Sequence, residues 1–306
     1  MDIYLSRTQG FCSGVSYAID IVERALVKYG TPLYVYHEIV HNTHVVNKFK
    51  DKGVKFIDDL NTVPNGSVLI LSAHGVPPVI FKEAEQKKLN IIDATCPLVK
   101  RVHNQAVKLS NAGYHTILIG HKGHQEVIGT SGYVKLELLH VVDNIEDINK
   151  LDLPADAKIG YVTQTTLSQD ETNDMILLLQ KKFTNLKMPD RSDVCYATQN
   201  RQNAVKELAQ LCELIIVCGS SNSSNTNRLK ETGERLGTKS IIIDEPADLN
   251  LLQLSNIKKL GITSGASVPH YIVEKILNII LKSYPQAIIH NFDNPEKNAQ
   301  FKLPEI

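Results

Sequence analysis

Residues Ile91–His124 read IIDATCPLVKRVHNQAVKLSNAGYHTILIGHKGH. A β-branched run, Ile91-Ile92, leads to Cys96, and Pro97 stands where a first helical residue is expected. Val99, Val102, Ala106 and Leu109 then recur on one helical face, and Gly113 closes the segment. A second apolar strand, Thr116 to Ile119, empties into Gly120-His121-Lys122-Gly123-His124. The unit is therefore strand, cysteine, helix, strand and polar loop.

The same unit occurs twice more. Cys12 precedes a helical pattern carrying Val15, Ala18, Ile19, Val22 and Leu26, then the strand Leu33–Tyr36. Cys195 precedes Ala204, Leu208 and Leu211 in helical register, then a strand from Leu214 to Val217. Adding 25 to the three cysteine numbers reaches His37, His121 and Ser220; adding 28 or 29 reaches His41, His124, and Ser223 with Ser224. Each unit is completed by a further strand ending in small polar residues or histidine: VLILSAHG to His74, KIGYVTQTTLS to Thr163–Thr166, and KLGITSGAS to Ser264–Ser267. A repeat of this length in which strands alternate with helices predicts three small α/β domains with mostly parallel sheets. The expected boundaries are 1–95, 96–194 and 195–283, with LPADAK and LKMPDRSD as polar connections and a tail over 284–306 in which Ile288 and Ile289 suit an edge strand.

Composition narrows the partners. The 306 residues carry 33 basic and 33 acidic side chains, so nothing in the net charge favours nucleic acid or an anionic membrane. MDIYLSRTQG lacks an apolar leader, and no apolar run approaches the about 20 residues of a membrane span. A soluble, cytoplasmic protein with a small-molecule ligand is expected. Five cysteines, three at matched positions, do not form a disulfide framework. Cys212 and Cys218, at a helix end and in a strand, are expected as buried apolar side chains.

A thiolate at a helix start is favoured by the helix dipole, so Cys12, Cys96 and Cys195 are candidate metal ligands. Three thiolates brought together by three related domains suit an iron-sulfur cluster or zinc, and unrelated buried cysteines are the third reading. His41, His74 and His124, with Ser223, Asn225 and Ser267, offer donors at strand ends of the kind that hold a diphosphate. Glu126, two residues after His124, is a capping residue or, beside a metal-bound substrate, a proton donor. Thr165 and Thr166 offer strand-end hydroxyls. Two rival activities fit three cysteines as well: a non-redox iron-sulfur dehydratase, for which paired arginines would be expected, and a zinc-stabilised phosphate-binding module.

The stretches GFCSGV, HEIVHN, SAHGV, DATCPLV, IGHKGHQEV, TQTTLS, CYATQNRQ, GSSNSSNTNRL and TSGAS, running from Gly10 to Ser267, resemble the LytB/IspH family of 4-hydroxy-3-methylbut-2-enyl diphosphate reductases. The resemblance implies a trefoil-like monomer of three α/β domains around a 4Fe-4S cluster with three ligands, Cys12, Cys96 and Cys195, and one open iron. It further implies that His41, His74, His124, Ser223, Ser224, Asn225 and Ser267 bind the diphosphate, that Thr165 meets the substrate's hydroxyl end, and that Glu126 is the acid. The implied reaction removes the allylic hydroxyl as water, using two electrons from a ferredoxin or flavodoxin, to give isopentenyl and dimethylallyl diphosphates.

Overall fold

The computed structural model describes residues 1–154, 156–292 and 300–306. Residue 155 of the LPADAK connection and 293–299 of the C-terminal tail lie outside the described residues. In chain order the strands are β1 (Asp2–Leu5), β2 (Leu33–Tyr36), β3 (Val54–Ile57), β4 (Val68–Leu71), β5 (Asn90–Asp93), β6 (His115–Ile119), β7 (Leu139–Val142), β8 (Ile159–Thr163), β9 (Leu186–Lys187), β10 (Leu214–Cys218), β11 (Lys239–Ile243), β12 (Lys259–Ser264) and β13 (Ile288–Asn291). The helices are α1 (Ser13–Tyr29), α2 (Thr43–Asp51), α3 (Pro78–Gln86), α4 (Pro97–Asn111), α5 (Gln125–Ser131), α6 (Ile145–Asn149), α7 (Gln169–Lys182), α8 (Tyr196–Leu211), α9 (Ser224–Arg235) and α10 (His270–Ser283). The strand expected at Leu33–Tyr36 is found with those bounds, and the strands expected at Thr116 and Leu214 each gain one residue. The connection LKMPDRSD contains β9, which its polar composition had hidden.

The chain divides into two compact units: Met1–Val15, His41–Val45 and Tyr196–Gln300 form one, and Ser16–Val40, Val46–Cys195 and Phe301–Ile306 the other. The first holds one sheet, ordered β11-β10-β12-β1-β13; the second holds two, β3-β2-β4-β5 and β7-β6-β8-β9. Every described strand pair is parallel, as expected for an α/β protein. The three orders correspond. In each sheet the strand after a cysteine-led helix lies second, and the fourth strand runs on toward the next cysteine: β5 toward Cys96, β9 toward Cys195 and β1 toward Cys12. In the five-stranded sheet β13 adds an edge outside β1, where His290 pairs with Asp2 at 2.7 Å and stacks on Tyr4. That pairing draws the Asp2 carboxyl below its ordinary range.

Helices covering both faces of a parallel sheet require apolar side chains on both faces of the inner strands. Accordingly β2, β8 and β10 are buried along their whole length, whereas β3, β7 and β11 are partly exposed. The α4 stripe read from the sequence packs as expected: Val102, Ala106 and Leu109 join Leu118 and Val162 in one core cluster. Gly160, the second residue of β8, lets that helix approach, because a Cβ there would lie 2.5 Å from Leu109 Cδ2 and 2.9 Å from Cδ1. Gly160→Ala should therefore destabilise by about 1–3 kcal/mol through overpacking, seen as a lower urea midpoint at unchanged slope. Among the described residues no helix is long and apolar enough to cross a membrane.

Candidate active site

The three candidate ligands share one local geometry. Cys12 immediately precedes α1, Cys96 is the N-terminal cap of α4, and Cys195 immediately precedes α8; all three are half-buried, and none is in a disulfide. The cysteine N–H donates at 3.0 Å in every case to a carbonyl two residues past a strand: Cys12 to Ala266 after β12, Cys96 to Ala73 after β4, and Cys195 to Thr165 after β8. Each thiol therefore sits at a helix N-terminus, where the dipole favours the thiolate, beside a loop that carries a candidate substrate contact. Cys212 and Cys218 differ. Both are buried, and burial pushes their thiols up to about 12, as suits apolar core residues.

The second unit brings Glu126 and Thr165 together. Helix α5 begins after His124, whose Nδ1 accepts the Glu126 N–H at 3.1 Å, and an accepting Nδ1 leaves the ring proton on Nε2. Glu126 is 2% exposed. Its carboxylate accepts the Thr165 N–H at 2.6 Å and the Thr165 hydroxyl at 2.9 Å. Burial pushes the Glu126 carboxyl up to about 7; the two bonds from Thr165 oppose the shift, and the Asp193 carboxylate adds to it. Thr165 thus bridges Glu126 and Cys195, holding the first through its N–H and hydroxyl and the second through its carbonyl. The rings of His74 and His124 lie 6.1 Å apart and nearly perpendicular. Beneath the His74 loop, His103 is buried and its imidazole is pushed down to about 4 by that burial, so it is a neutral packing residue. Gly75 (φ +76) is needed there, because a Cβ would lie 2.5 Å from His103 Cε1.

The first unit holds the candidate serine and asparagine residues. Ser223 caps α9 by accepting the Thr226 N–H, and Ser224 opens the helix. Asn225 is 5% exposed, and neither its amide nitrogen nor its oxygen finds a partner among the described residues. Burying an unpaired amide costs about 1–3 kcal/mol, so an amide kept in that state is a sign of a ligand. The Ser267 hydroxyl donates to the His41 carbonyl at 2.9 Å, which fixes the backbone of that histidine. Fully buried Arg201 donates to the carbonyls of Thr8, Gly10 and Ser264, tying the loop before Cys12 to the end of β12.

Three residues of this region received no role from the sequence. Arg201 stands inside CYATQNRQ, among the polar residues of the first turns of α8, where nothing in the sequence sets it apart. Asp193, two residues before Cys195, is buried against the Thr163 N–H at 3.2 Å, and burial pushes it up to about 6. Asn42 follows His41 and leaves its amide nitrogen without a partner among the described residues. Arg201 and Asp193 do not follow from periodicity, because each depends on contacts distant in sequence, whereas Asn42 makes a local bond, its oxygen accepting the Val45 N–H at 3.0 Å.

The LytB protein family model matches residues 3–281. The chain belongs to the LytB family. This LytB-family chain is 46% identical over 304 residues to 4-hydroxy-3-methylbut-2-enyl diphosphate reductase 2 of Bradyrhizobium diazoefficiens, covering 99% of this chain and 98% of that one. It is 45% identical to the 4-hydroxy-3-methylbut-2-enyl diphosphate reductase of Saccharophagus degradans, covering 100% and 99%. The solved structure of the E-1-hydroxy-2-methyl-but-2-enyl-4-diphosphate reductase of Plasmodium falciparum superimposes with a TM-score of 0.96 at 41% identity, covering 99% of this chain and 95% of that one. The α/β fold with three parallel sheets is thus a fold of the LytB family.

Proposed function

We propose that the protein is an iron-sulfur oxidoreductase of the non-mevalonate isoprenoid pathway that reduces 4-hydroxy-3-methylbut-2-enyl diphosphate to isopentenyl and dimethylallyl diphosphates. Family membership and the names of the relatives support the reaction. The single observation that carries the chemistry is the buried Glu126 carboxyl, held by two bonds from Thr165 and pushed up to about 7. A carboxyl in that range is protonated often enough at neutral pH to give its proton away.

The cofactor is a 4Fe-4S cluster held by Cys12, Cys96 and Cys195. The chemistry of the donors suits it: each of the three cysteines stands at a helix start, where the dipole favours the thiolate, and three thiolates would hold an iron-sulfur cluster. When bound, the cluster would relay two electrons from the external donor and supply a Lewis-acidic iron. The rest falls to the chain. His41, His74, His124, Ser223, Ser224, Asn225 and Ser267 anchor the diphosphate by charge-assisted bonds. Thr165 orients the hydroxyl end, and Glu126 protonates the departing oxygen so that it leaves as water. A second proton is added at either of two carbons, which accounts for two products.

Three domains, 1–95, 96–194 and 195–283 with the tail 284–306, carry these groups; three sheets of corresponding strand order support a threefold division, with β1 (Asp2–Leu5) and β13 pairing in the sheet of 195–283 rather than with β2–β5. The protein works as a cytoplasmic monomer, with a ferredoxin or flavodoxin as electron donor.

The test is purification without oxygen followed by viologen-dye oxidation on adding the substrate. Dye consumption in step with substrate supports the reading; a cluster-loaded protein that ignores this substrate sinks it. For the anchor, Asn225→Ala should weaken binding of inorganic diphosphate by about tenfold, the loss of one or two hydrogen bonds to a charged group, measured by calorimetry.

A further inference from the structure

Three carboxylates that the reaction does not use occupy one repeated position. Asp58 directly follows β3, Asp143 follows β7 and Asp244 follows β11. Each meets the residue 25 positions after a cysteine: His37 Nδ1 lies 2.6 Å from Asp58 Oδ1, His121 Nδ1 lies 2.7 Å from Asp143 Oδ1, and the Ser220 hydroxyl donates to Asp244 Oδ1 at 2.6 Å. The main chain repeats the match, with His37 N–H to Ile57 O, Gly120 N–H to Val142 O and Gly219 N–H to Ile243 O at 2.8–2.9 Å. The partner changes from histidine to serine while the aspartate persists. His37 even adopts a φ of 58° at this junction, a conformation that non-glycine residues rarely take.

Each latch stands three or four residues before a proposed diphosphate contact: His41, His124, or Ser223 with Ser224. Asp244 does most. Besides Ser220, its second oxygen accepts the Thr43 hydroxyl at 3.3 Å, its carbonyl lies 3.2 Å from His44 Nε2, and the Thr43 N–H reaches Ser220 Oγ at 3.4 Å. One carboxylate thereby ties segment 41–45 to the loop that leads into α9. The Ser267 hydroxyl holds the His41 carbonyl separately, so the backbone around His41 is pinned from both sides. The Asp244 side chain thus accepts on both oxygens, Oδ1 from Ser220 and Oδ2 from Thr43. An anion is also a poor direct ligand for a diphosphate, which leaves it an indirect role.

We infer that Asp244 is a positioning residue that sets the geometry of the His41 and Ser223–Asn225 segments for a diphosphate, and that Asp58 and Asp143 are its counterparts in the other two repeats. This rests on the diphosphate reading above. In cluster-loaded protein, Asp244→Ala should raise both the KM for the substrate and the Kd for inorganic diphosphate by about ten- to a hundredfold, with kcat within about threefold of the wild type. Asp244→Asn keeps one oxygen acceptor and should recover most of that affinity. Should Asp244→Ala not fold, Ser220→Ala and Thr43→Val each remove one arm and should each raise the diphosphate Kd several-fold. Unchanged Kd and KM in variants whose melting temperature falls would make the latch purely structural and overturn the inference. A wild type that turns over but is indifferent to these changes defeats the latch alone; a wild type that binds no diphosphate defeats the reading of the site and the latch with it.

Discussion

Glu126→Gln is expected to lower kcat by about 10²- to 10⁴-fold, the range associated with a positioned general acid, while cluster content and diphosphate affinity stay at wild-type values. The substitution is clean because the site can satisfy it. The Gln oxygen accepts the Thr165 N–H, and its amide donates to the Thr165 hydroxyl, which accepts as readily as it donates. What disappears is the acidic carboxyl proton. The pH dependence follows from the same carboxyl. If Glu126 is the acid, its protonated form is the competent one, so wild-type kcat should fall as pH rises through about 7, and the residual turnover of the variant should lack that limb. Stability has the same sign. The folded value of about 7 lies above the ordinary 4.5, so the carboxyl's contribution is complete below the unfolded value and is lost as pH rises through the folded one. The difference corresponds to about 3 kcal/mol, so Glu126→Gln should remove about that much of the pH dependence of the unfolding free energy between pH 5 and 8. Wild-type turnover in the variant would remove Glu126 from the reaction.

Cys96→Ser should abolish both the brown absorption and the substrate-dependent dye oxidation, with iron and sulfide lost together on analysis. The fold should survive, since the N–H bond from residue 96 to Ala73 and the cap of α4 are main-chain features that serine retains. Cys12→Ser and Cys195→Ser should behave alike, because their backbone setting matches. Cys218→Ala is the control: its thiol is fully buried in the first unit's core, so the variant should lose stability and keep its cluster. If Cys96→Ser retains stoichiometric iron and sulfide, that cysteine is not a ligand.

Much of this was legible in the chain itself. Helix and strand periods, Pro97 at a helix start and Gly113 after a helix end are local signals, and they place α4, β2 and β6 within a residue of where they lie. The repeat adds equivalence, so that Cys12, Cys96 and Cys195 are read at matching helix starts. Periodicity is silent on partners. Nothing local tells that β1 joins β12 and β13 rather than β2, or that the Ala266 carbonyl serves Cys12. Nor does composition separate Asn225, whose buried amide is unpaired among the described residues, from the other asparagines of its loop. The sequence by itself determined the α/β class, the three-part repeat and the residue types at each strand end, because these follow from side-chain size, branching and spacing. Only the tertiary structure decided that Glu126 is buried against Thr165 and that Asp244 gathers Ser220 and Thr43, because desolvation and hydrogen bonding arise between segments that meet only once the chain is folded.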